Sequence, residues 1–432
     1  AQLTEHLCKM LSVGTGLAVL FCIGAGLVYQ DPNLIAPDYA VDTLPVRFIA
    51  AACFICVSLP LIFYYFFMKY SVFAPVADDN VVVPRSYSKI REKTYQGPYP
   101  NGWYKLADSC DVKKGTVIHR QCLGQELAVF RGEDGEVHVL DAICPHMGAN
   151  LAVGGQVKGN CLECPFHLWR FDGNGKVTHI PYNDRVPESA KTRVWPSIET
   201  QGMVCFWFHA DKEEPSYTVH QMLTDDMVYR GTYSRKVKMH IQEFAENSAD
   251  FQHFTPLHGQ MTIPFTMIPI PFLKIRHKAG WTQADEGRHL AYFTNEAALM
   301  FRGKEVPQTS AKARITFVGP GGITAFEFFT PIGNITLFHT HLPLEPCVQE
   351  VQFTYYADRS MPRLLVYYVV GNWLSQYMND IMVWENKRFM RKPLLVQGDG
   401  PIMQMRRWFS QFYSESSGWD AVKRAQANPN AW

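Results

Sequence analysis

Two uncharged apolar runs open the chain, and beyond them the hydrophobic positions begin to alternate. Residues 11–29, LSVGTGLAVLFCIGAGLVY, and 48–68, FIAAACFICVSLPLIFYYFFM, each approach the ~20 residues a helix needs to cross a bilayer core. Gly14, Gly16, Gly24 and Gly26 suit close helix packing in the first run, and Pro60 suits a kink in the second. A signal peptide is the other reading of the first run; the second run and the lack of a small-residue cleavage site favour two spans. Residues 1–70 are therefore expected to form a transmembrane helical hairpin. Lys9 precedes the first span and Lys69, Lys89, Arg91 and Lys93 follow the second, whereas the connection carries Asp31, Asp38 and Asp42 against Arg47. That asymmetry is expected to put both termini in the cytosol and the short loop in the lumen or outside; the expected location is the endoplasmic reticulum membrane, as a multi-pass protein with its catalytic domain facing the cytosol. Residues 71–102, with Pro75, Pro84, Pro98 and Pro100, read as a linker.

From Trp103 the apolar period becomes two. TVIHRQ (116–121), ELAVFRG (126–132) and VHVLDAI (137–143) alternate, and turns such as Glu133-Asp134-Gly135 and Asp172-Gly173-Asn174-Gly175 punctuate them. Residues 103–208 are expected to be an all-β module. In the remaining domain, 209–432, five more alternating runs between 289 and 357 read as antiparallel strands: LAYFTN, ARITFVG, ITAFEFFT, ITLFHTHLP and VQEVQFTYYA. A long, mostly apolar helix follows, with Pro362 in its first turn and its end near Lys387. The fold class is α+β.

Composition narrows the function. The 432 residues carry 41 basic and 40 acidic side chains, a net charge of +1 that argues against a nucleic-acid partner. Eleven scattered cysteines, an odd count, suit reduced thiols in a cytosol-facing protein rather than a disulfide framework.

Chemistry concentrates in two places. CPHMGANLAVGGQVKGNCLECPFH (144–167) sets Cys144-x-His146 and Cys164-x-x-His167 on two loops of the β module. Thiolate and imidazole this close reach one centre from a single turn, and two turns supply four ligands. Zinc accepts two cysteines and two histidines. A Rieske [2Fe–2S] cluster uses the same set with two Cys on one iron and two His on the other, and the C-x-H and C-x2-H spacing fits it better. Cys161, Cys122 and the Cys53/Cys56 pair read as structural thiols.

The second place is ENSADFQHFTPLH (246–258). His253 and His258 would lie about 140° apart on an ideal helix, but Pro256 between them disfavours one and lets the second imidazole swing back. Two imidazoles and a distant carboxylate make the facial triad of non-haem Fe(II) oxygenases, with positions left open for O2. Asp250, one helical turn before His253, can accept a hydrogen bond from that ring. Glu246 and Asn247 have a plain alternative role in helix capping and polarity. For the third ligand Asp380 is the leading candidate, an acid on a buried helix with no structural excuse; Glu385 and Asp358 are its rivals. His339 and His341 read as pocket or surface positions. Met261–Ile275, apolar and rich in proline, reads as either an entry lip or a buried connection.

The stretch 144–175 resembles the Rieske domain of the Rieske non-haem iron oxygenases. Met147 stands where that family often has Arg, and Leu168 where Gly often follows the second histidine. Taken with ENSADFQHFTPLH, QYMNDIMVWENK and LLVQGDGPIMQMRRWFSQFY, the layout over residues 95–415 resembles the Neverland-type cholesterol 7-desaturases. The resemblance implies a helix-grip (START-like) catalytic domain enclosing an apolar cavity, and Fe(II) held by His253, His258 and Asp380. It implies that Asp250 links the iron to the cluster of a neighbouring subunit in a homotrimer. It further implies a separate reductase using NADH or NADPH, O2 as co-substrate, and a sterol substrate drawn from the membrane, cholesterol becoming 7-dehydrocholesterol. The bacterial 3-ketosteroid 9-hydroxylases share the ligand motifs, so a steroid hydroxylase is the alternative enzyme. A Rieske electron-transfer protein and a sterol carrier are the readings without oxygenase chemistry.

Overall fold

A computed structural model describes residue 58 and residues 94–421, except 265, 308, 331 and 332. Apart from Ser58, both apolar runs lie outside the described residues. Among the described residues no helix is long and apolar enough to cross a membrane. The expected hairpin thus lies outside the described residues, and the multi-pass placement in the endoplasmic reticulum membrane is corrected to what those residues show, a β-rich body without a membrane-crossing helix. The longest described helix owes its apolar side chains to packing against a sheet, and its run is interrupted by Asn372, Gln376, Asn379 and Asp380.

The first module contains β1 (Gly102–Asp108), β2 (Thr116–Cys122), β3 (Gln125–Arg131), β4 (Val137–Asp141), β5 (Gln156–Lys158), β6 (Cys161–Glu163), β7 (Arg170–Phe171), β8 (Val177–His179), β9 (Ser197–Thr200) and β10 (Met203–Phe208). They form three antiparallel sheets in the orders β2-β3-β4, β5-β6-β7-β8 and β1-β10-β9. Alternation sets the faces: in β3, Leu127 and Val129 enter one core while Ala128 and Phe130 enter a second, beneath the Cys144 and Cys164 loops.

The second module adds β11 (Met227–Val237), α1 (Ile241–Asn247), β12 (Gln260–Thr262), β13 (Pro269–Gln283), β14 (Leu290–Phe301), β15 (Lys304–Glu305), β16 (Ala311–Val318), β17 (Ile323–Thr330), β18 (Gly333–Glu345), β19 (Val348–Asp358), α2 (Arg363–Trp384) and α3 (Ile402–Ser410). Its strands form one antiparallel sheet, β11-β19-β18-β17-β16-β14-β13-β12, with β15 beside β14. Both faces of this sheet are covered. Leu337, Phe353, Tyr355 and Phe326 face α2, whose Val366, Val370, Leu374, Tyr377 and Ile381 are buried among them. Phe338, Ile323 and Ala325 pack on Trp103, Met203, Cys205 and Trp207 of the first module. Each such large side chain stabilises the fold by roughly 1.5–3 kcal/mol on full burial. Polar contacts seal the joint: Lys105 Nζ donates to Thr354 Oγ1 at 3.1 Å, Gln352 Nε2 to Asp108 Oδ2 at 2.8 Å, and the Leu123 N–H to the Pro343 carbonyl at 2.7 Å.

Two stretches differ from the sequence expectation. The end of the expected linker is packed rather than free: Tyr95 and Tyr99 are buried, Tyr95 stacks on His240, and the Gly97 carbonyl accepts from His240 Nε2 at 2.9 Å. The apolar stretch after Met261 is no buried connection, because Ile263, Met267, Ile268 and Phe272 are exposed.

Candidate metal centres

α1 ends at Asn247, and the chain re-enters helical geometry in a π turn, Phe254–His258, that contains Pro256. The wider i→i+5 winding of such a turn brings residues five apart onto one side, which an α-helix would not do. His253 and His258 accordingly face each other, with ring centroids 5.0 Å apart and planes at 85°. α2 lies across the turn, and Asp380, buried, enters from it; one ligand atom from each of His253, His258 and Asp380 falls within 4.8 Å of the others. Asn379 Nδ2 donates to the Leu257 carbonyl at 2.7 Å and clamps helix to turn.

The donor atoms are left in the state a cation needs. The His253 Nδ1–H donates to the Asp250 carbonyl, so the lone pair is on Nε2. Burial lowers the pKa of His253 and keeps that ring neutral. His258 Nε2 approaches Asp380 Oδ1 to 3.1 Å, yet that oxygen and His258 Nδ1 are buried without an aligned hydrogen-bond partner. Two imidazoles and a carboxylate with an unsatisfied oxygen fit a mononuclear Fe(II) site. The rivals of Asp380 are engaged elsewhere: Glu385 Oε1 accepts from the Lys238 N–H at 3.0 Å, and Asp358 Oδ2 from the Asn334 N–H at 2.7 Å.

Asp250 is placed differently from the sequence expectation. Its main-chain oxygen, not its carboxylate, meets the His253 ring. The half-buried carboxylate accepts from the N–H groups of Gln252 and His253 at 3.1 and 3.4 Å. Asn247, read from sequence as a helix-end residue, sets Nδ2 3.1 Å from His253 Nε2. Glu246 forms a two-bond pair with Arg406 of α3, both contacts 2.7 Å.

A cavity of about 310 Å³ opens from this triad between α2 and the sheet. Its walls are mostly apolar, with Phe254, Phe293, Ile315, Phe328, Val369 and Trp373 among them. His277 stands beside the site: its Nε2–H donates to the His258 carbonyl at 3.2 Å, and burial pushes its pKa down to about 4. His339 and His341, expected at the pocket or the surface, are fully buried in the core around Phe244, Phe353 and Tyr377.

The other four candidates meet at the tip of the first module. Its two loops are built alike. The Cys144 N–H donates to the Ala149 carbonyl and the Gly148 N–H to the Cys144 carbonyl; the Cys164 N–H donates to the Trp169 carbonyl and the Leu168 N–H to the Cys164 carbonyl, all at 2.8–3.1 Å. Gly148 and Leu168 occupy equivalent left-handed positions, φ 76° and 59°. Both thiols are buried, and the rings of His146 and His167 are 4.6 Å apart, the former stacked on Trp169 at 4.4 Å. Burial, opposed by a main-chain bond at His146 and aided by the neighbouring Cys164, pushes the Cys144 pKa up to about 11. A metal that takes both thiolates reverses that balance. The loop pair with two thiols inside and two imidazoles at the rim fits a cluster that divides its ligands between two irons.

Residues 102–190 match the family described as Rieske [2Fe-2S] domain, and residues 206–413 match 3-Ketosteroid 9alpha-hydroxylase C-terminal domain. A cholesterol 7-desaturase of Xenopus laevis is 38% identical over 330 residues, 74% of this chain and 73% of that protein. The chain belongs to the cholesterol 7-desaturase family. Another member, from Hemicentrotus pulcherrimus, is 39% identical over 332 residues, covering 74% of this chain and 71% of its own. The crystal structure of dicamba monooxygenase bound to dicamba superposes with a TM-score of 0.54 over 72% of this chain and 97% of that one, at 18% identity, and supports the fold. Membership makes the chain a Rieske-type non-haem iron oxidoreductase that carries a [2Fe–2S] cluster and iron. Sequence reasoning missed His277 and Asn379, which hold the His258 and Leu257 carbonyls, and Arg406, which pairs with Glu246. His277 lies on β13, a strand the sequence reading did not mark, so nothing pointed from it to the triad.

Proposed function

We propose that this chain desaturates a sterol, converting cholesterol to 7-dehydrocholesterol with O2 and electrons that a separate reductase draws from NADH or NADPH. The observation that carries the reading is the triad of His253, His258 and Asp380 opening directly on an apolar cavity. Its kinship with cholesterol 7-desaturases at 38–39% identity supports the substrate. Cys144 and Cys164 would hold one iron of the cluster and His146 and His167 the other, while His253, His258 and Asp380 would hold the mononuclear Fe(II). When bound, these centres supply the electron transfer and O2 chemistry that remove two hydrogens from adjacent carbons, sterol, O2, NAD(P)H and a proton giving the alkene, NAD(P)+ and two waters.

The protein's own part is placement. Phe254, Phe293 and Ile315 present an apolar wall to a steroid skeleton and exclude water beside the triad. His277 holds the His258 main chain, and Asn379 holds the preceding residue, so the second imidazole does not drift from Asp380. Asp250, its carbonyl on His253 and its carboxylate half-exposed, suits the bridge to the cluster-bearing module of a neighbouring subunit in a ring-like homotrimer.

Steroid hydroxylation is the second reading, favoured by the match of residues 206–413 to the 3-ketosteroid hydroxylase C-terminal domain. Mass spectrometry of sterols from cells expressing the chain and fed cholesterol separates the two: loss of two mass units denotes desaturation, gain of sixteen hydroxylation. His253→Ala is expected to abolish either product and the mononuclear iron while leaving the visible spectrum of the cluster intact. Unchanged sterol composition with the wild-type chain and an active reductase would reject both readings.

A further inference from the structure

We infer that Asn295 selects a steroid that carries a hydroxyl over one that carries a ketone at the same position. The inference rests on the steroid reading above and adds the polar group by which the cavity tells two substrate classes apart. Asn295 lies on β14, paired with Ala279 on one side and Ala313 on the other, so small side chains flank it. It lines the cavity, as do Ala297, Leu299 and Ala311 further along the same wall.

Hydrogen bonding fixes which way its amide faces. The His258 carbonyl has no proton to give, so His277 Nε2, 3.2 Å away, must be the N–H. The other nitrogen of the neutral ring then carries a lone pair, and Asn295 Nδ2 donates to it at 3.0 Å. Turning the amide over would set oxygen lone pairs against the ring lone pair. Asn295 Oδ1 is therefore held facing away from His277, and it is buried with no hydrogen-bond partner.

An isolated carbonyl oxygen at an apolar wall is an acceptor and nothing else. A hydroxyl donates to it; a ketone oxygen meets it lone pair to lone pair. Cholesterol has one polar group, and that group is a hydroxyl. The 3-ketosteroids named in the description of the matching C-terminal domain carry the ketone instead. The Tyr377 hydroxyl and the Trp373 indole N–H, which also border the cavity and are buried without partners, are the rival anchors, and the indole donates to a hydroxyl or a ketone oxygen alike. A phenol both donates and accepts, so it would not discriminate in this direction.

The test uses the cluster-loaded enzyme and reads dissociation constants for cholesterol, its 3-keto counterpart and its 3-deoxy counterpart from quenching of tryptophan fluorescence, Trp373 and Trp384 being in the cavity wall. The wild type is expected to prefer cholesterol over the ketone by on the order of tenfold to a hundredfold. Asn295→Leu is expected to erase that preference by weakening cholesterol alone. Asn295→Ala removes the acceptor without adding bulk and reports the same loss if the leucine variant does not fold. Tyr377→Phe is expected to retain the preference. A preference that survives both Asn295 variants, or that disappears in Tyr377→Phe, overturns the assignment. Binding of all three ligands with equal affinity to the wild type overturns it while leaving the steroid reading intact; binding of none overturns both.

Discussion

Asn379 and Leu257 are joined by a 2.7 Å hydrogen bond from side-chain amide to main-chain carbonyl, and each is the immediate neighbour of a triad residue. The bond ties the penultimate turn of a long helix to a short π turn that His277 also holds, through the His258 carbonyl. Replacing Asn379 with Leu leaves the Leu257 carbonyl without its donor, at a cost of roughly 1–3 kcal/mol. The expected outcome is weaker mononuclear iron binding, read by metal analysis after dialysis against a mild chelator, with an unchanged cluster spectrum. Full iron retention would mean that packing alone positions the turn.

Asp380→Asn should lose mononuclear iron, whereas Glu385→Gln and Asp358→Asn should keep it, since those two carboxylates serve main-chain N–H groups. Iron stoichiometry of the three purified variants decides. Loss in Glu385→Gln with retention in Asp380→Asn would reassign the third ligand.

Arg406 and Glu246 are both nearly buried and pair through two contacts of 2.7 Å. Arg406→Met takes both of these hydrogen bonds from the Glu246 carboxylate of α1, and breaking a buried pair costs about 3–5 kcal/mol. The double change Arg406→Met with Glu246→Leu should recover most of that loss. Urea unfolding of the single and double variants measures it, and strictly additive losses would contradict the pairing.

Leu168 holds a left-handed backbone, φ 59°, with its side chain largely exposed, at the position where the sister loop has Gly148. A β-carbon in that conformation costs roughly 1–2 kcal/mol, and glycine avoids it. Leu168→Gly is expected to stabilise the cluster module by about 0.5–1 kcal/mol in denaturant titration, offset in part by the freer unfolded chain. A destabilised variant would show that the leucine side chain makes up for its strain.

Stability should also fall in mild acid. Burial lowers the pKa of His341 to about 3 and of His240 to about 4, so both stay neutral in the fold while the unfolded chain takes up a proton near pH 6.5. Below that pH the unfolded state binds more protons. Stability is therefore complete above about pH 6.5 and declines toward the folded pKa, by about 1.4 kcal/mol per pH unit for each such ring. Unfolding free energies at pH 7.5 and 5.5, for wild type and His341→Leu, should differ in slope by up to one proton.

What the sequence made legible follows from spacing. Strict alternation marked β14 and β16–β19, and a proline marked the start of α2, because these signals are local. Cys144, His146, Cys164 and His167 were visible because each pair sits within one turn. Asp380 was harder: its case rested on burial inferred from apolar neighbours. His277 and Asn295 could not be read at all, since a residue on a strand gains meaning only when the register across β13 and β14 is known. The role of Asp250 was assigned to its carboxylate because side chains are what a sequence displays, whereas the contact runs through the peptide oxygen. Apart from Ser58, the apolar N-terminal runs lie outside the described residues, whose helices give no membrane span.

The twin loops around Cys144 and Cys164 close on themselves through peptide groups in the same register. Because no side chain is needed for that closure, Met147 and Phe166, both exposed on the rim, can change without opening it, although Phe166 also packs its ring 3.9 Å from that of His167. Substitution there can adjust the polarity felt by an electron entering the cluster, or the shape offered to whatever protein delivers it, while the cage itself keeps its dimensions.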